Sequence, residues 1–217
     1  GISNPFYKAI ADGMVMEGAK HGIEIVVVDA NFDVTKQSNQ VKDFIANGYD
    51  GIVLSPRDSK AIGPDIKEAN DAGIPVFTGD IASLADTGKV VSHIATDNTL
   101  GGSIAADAML KALNGKGKVG FISHNEVETG LMRMTGFRER LREKGVDKDM
   151  PIVVDLDSKG SRARGYNATQ DAIQAHPDIA GLFFVRDEAA LGGVAALEAV
   201  GQLDQVVLIG FDGMDEA

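Results

Sequence analysis

The chain contains no cysteine, which excludes disulfides and thiolate chemistry from its 217 residues. That fits an oxidising compartment without requiring one. No apolar run approaches the roughly 20 residues that a membrane span needs. No charged segment leading into an apolar stretch stands before Gly1. The expectation is that any export signal has been removed or was never present, so the N-terminus does not reveal the compartment. Positive charge is scarce: 21 Lys and Arg against 32 Asp and Glu give a net charge of −11. The basic residues are also scattered, which disfavours nucleic acid, whose phosphates reward basic clusters. The four histidines, His21, His93, His124 and His176, lack metal-ligand spacing and read as surface or structural residues. Nucleotide and hydrolase signatures are missing too. There is no G-x-G-x-x-G after a strand, no G-x-S-x-G and no Walker sequence.

What is present begins with Asn4-Pro5-Phe6-Tyr7. Pro5 suits the first position of a helix and Asn4 suits its cap. Phe6, Ile10 and Met14 then recur at helical spacing. The two rings could stack on the face of a small ligand, or they could form a hydrophobic staple or pack as core. The remaining chain repeats helix and short apolar strand. Ile23 to Val28 is a β-branched run ending at Asp29, and its near-continuous hydrophobicity predicts a strand covered on both faces. Further strands are expected at 51–54, 75–78, 90–95, 118–122, 152–154, 181–185 and 206–209. Helices are expected between them, and the helix from about Thr99 to Leu113, rich in Ala and Gly, is suited to close packing.

Strands alternating with helices of this length indicate βαβ units and open parallel sheets. The fold class is therefore α/β, with two doubly wound parallel-sheet lobes, residues 1–97 and 98–217, joined near 96–102. Asp29, Ser55, Asp80, Asp187 and Asp212 all fall at carboxyl ends of strands. In such sheets that edge is where ligands bind. Each aspartate could equally cap a helix, which βα loops also favour. Five together, on both lobes, favour a site.

These residues, in order, resemble the periplasmic sugar-binding proteins of bacterial ABC importers, the ribose-binding-protein-like or type 1 group. The matching segments are Asn4-Pro5-Phe6-Tyr7, Asp29, Ser55-Pro56-Arg57-Asp58-Ser59, Gly73-Ile74-Pro75-Val76 and His93-Ile94-Ala95-Thr96-Asp97-Asn98. Arg133-Met134-Thr135-Gly136-Phe137, Asp187-Glu188-Ala189-Ala190-Leu191-Gly192 and Gly210-Phe211-Asp212-Gly213 complete the set. The resemblance implies a hinged protein that closes over a monosaccharide or polyol between its lobes, with a membrane permease as partner, a periplasmic location and a monomeric state. It implies no cofactor, no metal and no catalysis. It also implies that family members carry a strand before Asn4 and return segments after Asp212, so the sequence reads as truncated at both ends.

Carried over position by position, Asn4 and Asp80 would be polar ligands from the first lobe, with Phe6 and Tyr7 stacking on the sugar. Arg133 would be the arginine of the second lobe and Asp212 a hydroxyl acceptor from the far side. Ser55, Arg57 and Thr96 would line the rim. Carboxylates accept hydroxyl protons, guanidinium forks donate to neighbouring oxygens, and rings cover the C–H faces. Three departures bear on ligand identity. The family's Asp-Arg is Asp80-Ile81 here; its Asn-Asp is Arg186-Asp187; and Asp157-Ser158-Lys159-Gly160-Ser161 lacks the expected aromatic. These point to a ligand other than ribose, with Arg186 reading the changed part.

Two rival readings follow. The effector domain of a LacI-type, sugar-responsive repressor shares this fold but needs a basic DNA-binding headpiece. A glycoside-processing enzyme could pair Asp80 with Asp212, yet each serves better as a hydroxyl acceptor.

Overall fold

The computed structural model describes residues 5–214 and 216. It divides into two compact units, Gly1–Ile94 and Ala95–Ala217.

Unit 1 opens with helix α1 (Pro5–Lys20), followed by α2 (Val34–Ala46), strand β1 (Ile52–Leu54), α3 (Gly63–Asp71), β2 (Val76–Gly79) and β3 (Val90–Ile94). The strands form a parallel sheet in the order β1-β2-β3, with Ile52 opposite Val76 and Val76 opposite Val90. Its core gathers Val41 from α2, Ile52 and Leu54 from β1, Ile62, Ile66 and Ala69 around α3, and Ile74 and Val76 leading into β2. Asp33 caps α2 by accepting the Lys36 N–H at 2.9 Å, and Ser38 ties α2 to α3 through Asp65.

One expectation fails here. Ile23 to Val28 is not a strand. Ile23 N–H donates back to Gly18, and beyond it no ladder forms among the described residues. A strand exists only through a hydrogen-bonded neighbour, and periodicity cannot supply one. Nor is the run covered on both faces: Ile23 is 57% exposed and Val26, Val27 and Val28 each more than 40%. Between this run and β1 lies an apolar groove of about 180 Å³, with Ile10, Met14, Val27, Val41 and Val53 in its walls.

Unit 2 comprises α4 (Asn98–Leu113), β4 (Lys118–Ser123), α5 (Glu128–Glu143), β5 (Ile152–Asp157), α6 (Arg162–Ala175), β6 (Ile179–Phe184), α7 (Asp187–Ala199) and β7 (Val207–Ile209). Its parallel sheet runs β5-β4-β6-β7. Here the near-continuous apolar strands are covered on both faces. One face packs Phe121, Phe137 and Phe183 with Met109, Met134 and Leu141, and Phe137 stacks on Phe183 at 5.1 Å between centroids. The other packs Ile122, Leu182 and Phe184 against Ala168, Ala172, Ala189 and Leu197. The small residues of α4 act as expected. Added to Gly102, a Cβ would lie 1.9 Å from the Arg133 carbonyl oxygen, and added to Gly136 it would lie 1.9 Å from that of Thr99. The backbones of α4 and α5 therefore approach as only glycine permits.

Because every strand in each sheet is parallel, the carboxyl ends share one edge. Ser55 follows β1 and Asp80 follows β2; Arg186 lies two residues beyond β6 and Asp212 three beyond β7.

Candidate functional site

The five strand-end polar residues separate once their partners are known. Asp29 is engaged in its own turn, its Oδ1 accepting the Asn31 N–H at 2.7 Å. Asp187 lies in the first turn of α7, 3% exposed, and its Oδ2 accepts the Met214 N–H. Both thus support backbone, in keeping with the capping alternative. Ser55, Asp80 and Asp212 remain.

In unit 1, Asp80 is buried at φ 64, a left-handed conformation that costs a non-glycine residue about 1–3 kcal/mol. The Tyr7 hydroxyl donates to its Oδ2 at 3.0 Å. Tyr7 in turn meets Phe6 edge to face, at 5.3 Å between centroids, and both rings are half-buried. Arg57, also buried, has its guanidinium carbon 5.8 Å from the Tyr7 ring centre and 4.6 Å from that of Phe32. Gln37 fixes the loop after β1 at two points: its Nε2 donates to the Ser55 carbonyl at 2.9 Å, and its Oε1 accepts the Arg57 N–H at 2.8 Å. The Ser55 hydroxyl is buried and has no hydrogen-bond partner among the described residues. Asn4 lies outside the described residues.

In unit 2, Arg133 is no surface arginine of α5: its side chain is 3% exposed. Nε donates to Asn98 Oδ1 at 2.8 Å, and Nη1 donates to the Val185 carbonyl at 2.6 Å and to Asp212 Oδ1 at 3.1 Å. The guanidinium also lies 3.7 Å from the centre of the Phe211 ring. A buried charge is tolerated only with such pairing. Asp212, its side chain 8% exposed, sits at φ 123, a second aspartate in the left-handed region. Arg186 is buried and its Nη2 reaches the Thr129 hydroxyl at 3.4 Å. Where the expected aromatic is missing, Gly160 stands at φ 67; a Cβ there would lie 2.8 Å from Arg186 Cδ and 2.9 Å from His124 Nδ1. Thr96 is exposed, and its carbonyl accepts from Asn98 Nδ2.

Within each unit, then, a strained aspartate is held at a sheet edge by an orienting donor. Phe6, Tyr7, Ser55, Arg57 and Asp80 gather in unit 1, and Arg133 and Asp212 are bonded to one another in unit 2. Sequence reading missed Asn98, Gln37 and Phe32. Asn98 carried a visible signal, since it closes the His93 to Asn98 segment; Gln37 and Phe32 carried none. Among the described residues, no group of three His, Cys, Asp or Glu side chains could hold a metal ion, and no helix is long and apolar enough to cross a membrane.

Comparison with known proteins agrees with the fold. Residues 1–217 match the model of the periplasmic binding protein domain. The chain is 34% identical over 218 residues to the ribose import binding protein of Bacillus subtilis, covering 100% of this chain and 68% of that protein. The Caulobacter myo-inositol binding protein, solved with myo-inositol, superposes with a TM-score of 0.88 at 25% identity, covering 99% of this chain and 73% of the other. A solute-binding protein of a carbohydrate transporter from Agrobacterium radiobacter, solved with D-arabinose, gives 0.83 at 31% identity, covering 97% and 72%. These are transport proteins, and the repressor alternative draws no support from them. With a strand-end aspartate and its orienting donor in each of two parallel α/β units, and a sequence match running from end to end, the chain belongs to the periplasmic binding protein family, in its ribose-binding-like branch.

Proposed function

We propose that this protein is the solute-binding component of a bacterial ABC importer, taking a monosaccharide or related polyol and delivering it to a membrane permease. The observation that carries the reading is the pair of left-handed, buried aspartates, Asp80 at φ 64 and Asp212 at φ 123. Backbone strain persists where the surroundings over-determine it, and it gathers at ligand clamps. Each carboxylate accepts from an orienting side chain, Tyr7 or Arg133. A carboxylate has about four acceptor directions, enough to take sugar hydroxyls beside that donor. Phe6 and Tyr7 would cover a C–H face, and Arg133 and Arg186 would donate to ring or hydroxyl oxygens. A ligand engaged by both units biases the protein toward the closed state that a permease recognises, the hinge closure by which periplasmic binding proteins work.

The substrate class follows from the relatives, which bind ribose, D-arabinose and myo-inositol. By the family resemblance, Arg186 stands where ribose-type members often carry an asparagine, and we read this as a ligand that differs from ribose at the part this side chain meets. A periplasmic location goes with membership of the family. Catalysis is not part of the reading, and a candidate sugar is expected back unchanged after incubation.

The test is a thermal-shift screen of the full-length protein against D-ribose, D-arabinose, D-allose, myo-inositol and sugar acids. A ligand at a thousand times its Kd adds about 4 kcal/mol to the folded state, a rise of several degrees. Absence of a shift with every neutral sugar and polyol would end the proposal. Arg186→Ala is expected to weaken the best neutral ligand at least tenfold, the loss of a charged hydrogen bond; unchanged affinity would remove Arg186 from the site.

A further inference from the structure

Phe32 lies outside every functional motif of the sequence, yet its placement is tightly determined. Asp29 Oδ1 accepts the Asn31 N–H, and Asp33 N–H donates to the Ala30 carbonyl. Between those two bonds, Asn31 and Phe32 are both left-handed, at φ 50 and φ 63. A bulky aromatic is a rare occupant of that region. The strain does not serve the core, because Phe32 is 49% exposed. What the turn achieves is contact with Arg57, whose guanidinium carbon lies 4.6 Å from the Phe32 ring centre. Tyr7 is the second ring near that guanidinium, at 5.8 Å, and its hydroxyl is already committed to Asp80. The backbone beneath Arg57 is fixed as well, its N–H held by Gln37 Oε1 at 2.8 Å.

A guanidinium is a planar fork of donors in itself, and a ring packed against it limits how that plane can turn. We infer that Phe32 is a positioning residue of the solute site: it sets the plane of Arg57 so that the fork reads two adjacent oxygens of the bound sugar or polyol. This rests on the proposed function. It moves Arg57 from the rim to a selector of vicinal diols on the side of unit 1.

Isothermal titration of the full-length protein tests the inference, with D-ribose, D-arabinose and myo-inositol as probes and the tightest of them carried forward to variants. Phe32→Leu should weaken that probe about tenfold, while the melting temperature without sugar stays within about 2 °C of the parent. Phe32→Tyr, which keeps a ring, should restore affinity to within about twofold. In an Arg57→Ala background Phe32→Leu should cost nothing further, because the ring acts only through the guanidinium. Arg57→Lys keeps the charge without the planar fork and should reproduce the Phe32→Leu loss, which also covers the case in which Phe32→Leu folds poorly. Equal affinity for parent and Phe32→Leu, or losses that add in the double variant, would overturn the inference and leave the proposed function intact. A parent protein that binds none of the three probes, nor any other neutral sugar or polyol, would defeat both.

Discussion

At the scale of single residues, the two aspartates predict different failures. Tyr7→Phe removes the donor to Asp80 Oδ2 while keeping the ring. A hydrogen bond of this kind is worth about 0.5–1.5 kcal/mol, so sugar affinity should fall roughly three- to tenfold in titration with little change in stability. Asp212→Asn is more damaging, because it takes a carboxylate's charge away from the buried Arg133 guanidinium. Breaking a buried pair from one side costs about 3–5 kcal/mol, and urea unfolding followed in unit 2 should show a loss of that order. Acid acts elsewhere. Asp107 is held below the ordinary carboxylate range chiefly by its hydrogen bonds to Arg140, whose own pKa is raised in return. A lowered folded-state pKa contributes stability that is present above the ordinary carboxylate value and disappears as pH falls through the lowered one. Since Asp107 is 44% exposed, the effect is small. Asp107→Asn should therefore flatten the acid limb of the stability profile slightly and leave neutral stability almost unchanged.

At the scale of elements, the tightest backbone approach is α4 against α5. The obstacle at Gly102 and at Gly136 is backbone, which cannot rotate away as a side chain would. Gly102→Ala and Gly136→Ala should each destabilise unit 2 by about 1–3 kcal/mol or more, measurable as a lower urea midpoint at unchanged slope. The Ala- and Gly-rich composition of α4 made this legible in the sequence. So were the helices expected between the strands, three of which are capped by a side-chain oxygen, from Asp33, Asp97 and Ser161. The end of β5 was read short, because the strand continues to Asp157 through two acidic residues, and the pairing of Asp157 with Ser123 is a tertiary fact. Ile23 to Val28 shows the opposite error, since β-branched residues declare a readiness to pair and say nothing about a neighbour. Among the candidate site residues, Tyr7, Arg133 and Asp212 each sit in a short recognisable motif, and Asp80 was picked out only by its place at the end of a strand. Phe32 was not picked out. Its role depends on two consecutive left-handed residues, and neither Asn31 nor Phe32 announces that conformation.

At the scale of the whole molecule, the two units are unequally built. Unit 2 has two cores, one on each face of a four-stranded sheet, while the core of unit 1 gathers around α2, α3, β1 and β2. Hydrogen exchange of the 217-residue chain should accordingly show the slowest amides in β4 and β6 and much faster exchange across 23–28 and β1. Phe183→Ala, in the middle of the aromatic stack, should cost unit 2 about 3–5 kcal/mol. The groove beside β1 has a practical outcome for anyone handling this chain. Backbone that joins no ladder among the described residues, lined by oily side chains, invites the same surface of another molecule. Concentrated solutions should turn cloudy with time. Light scattering should rise steeply with concentration, and Val27→Lys together with Val53→Lys should keep the preparation clear.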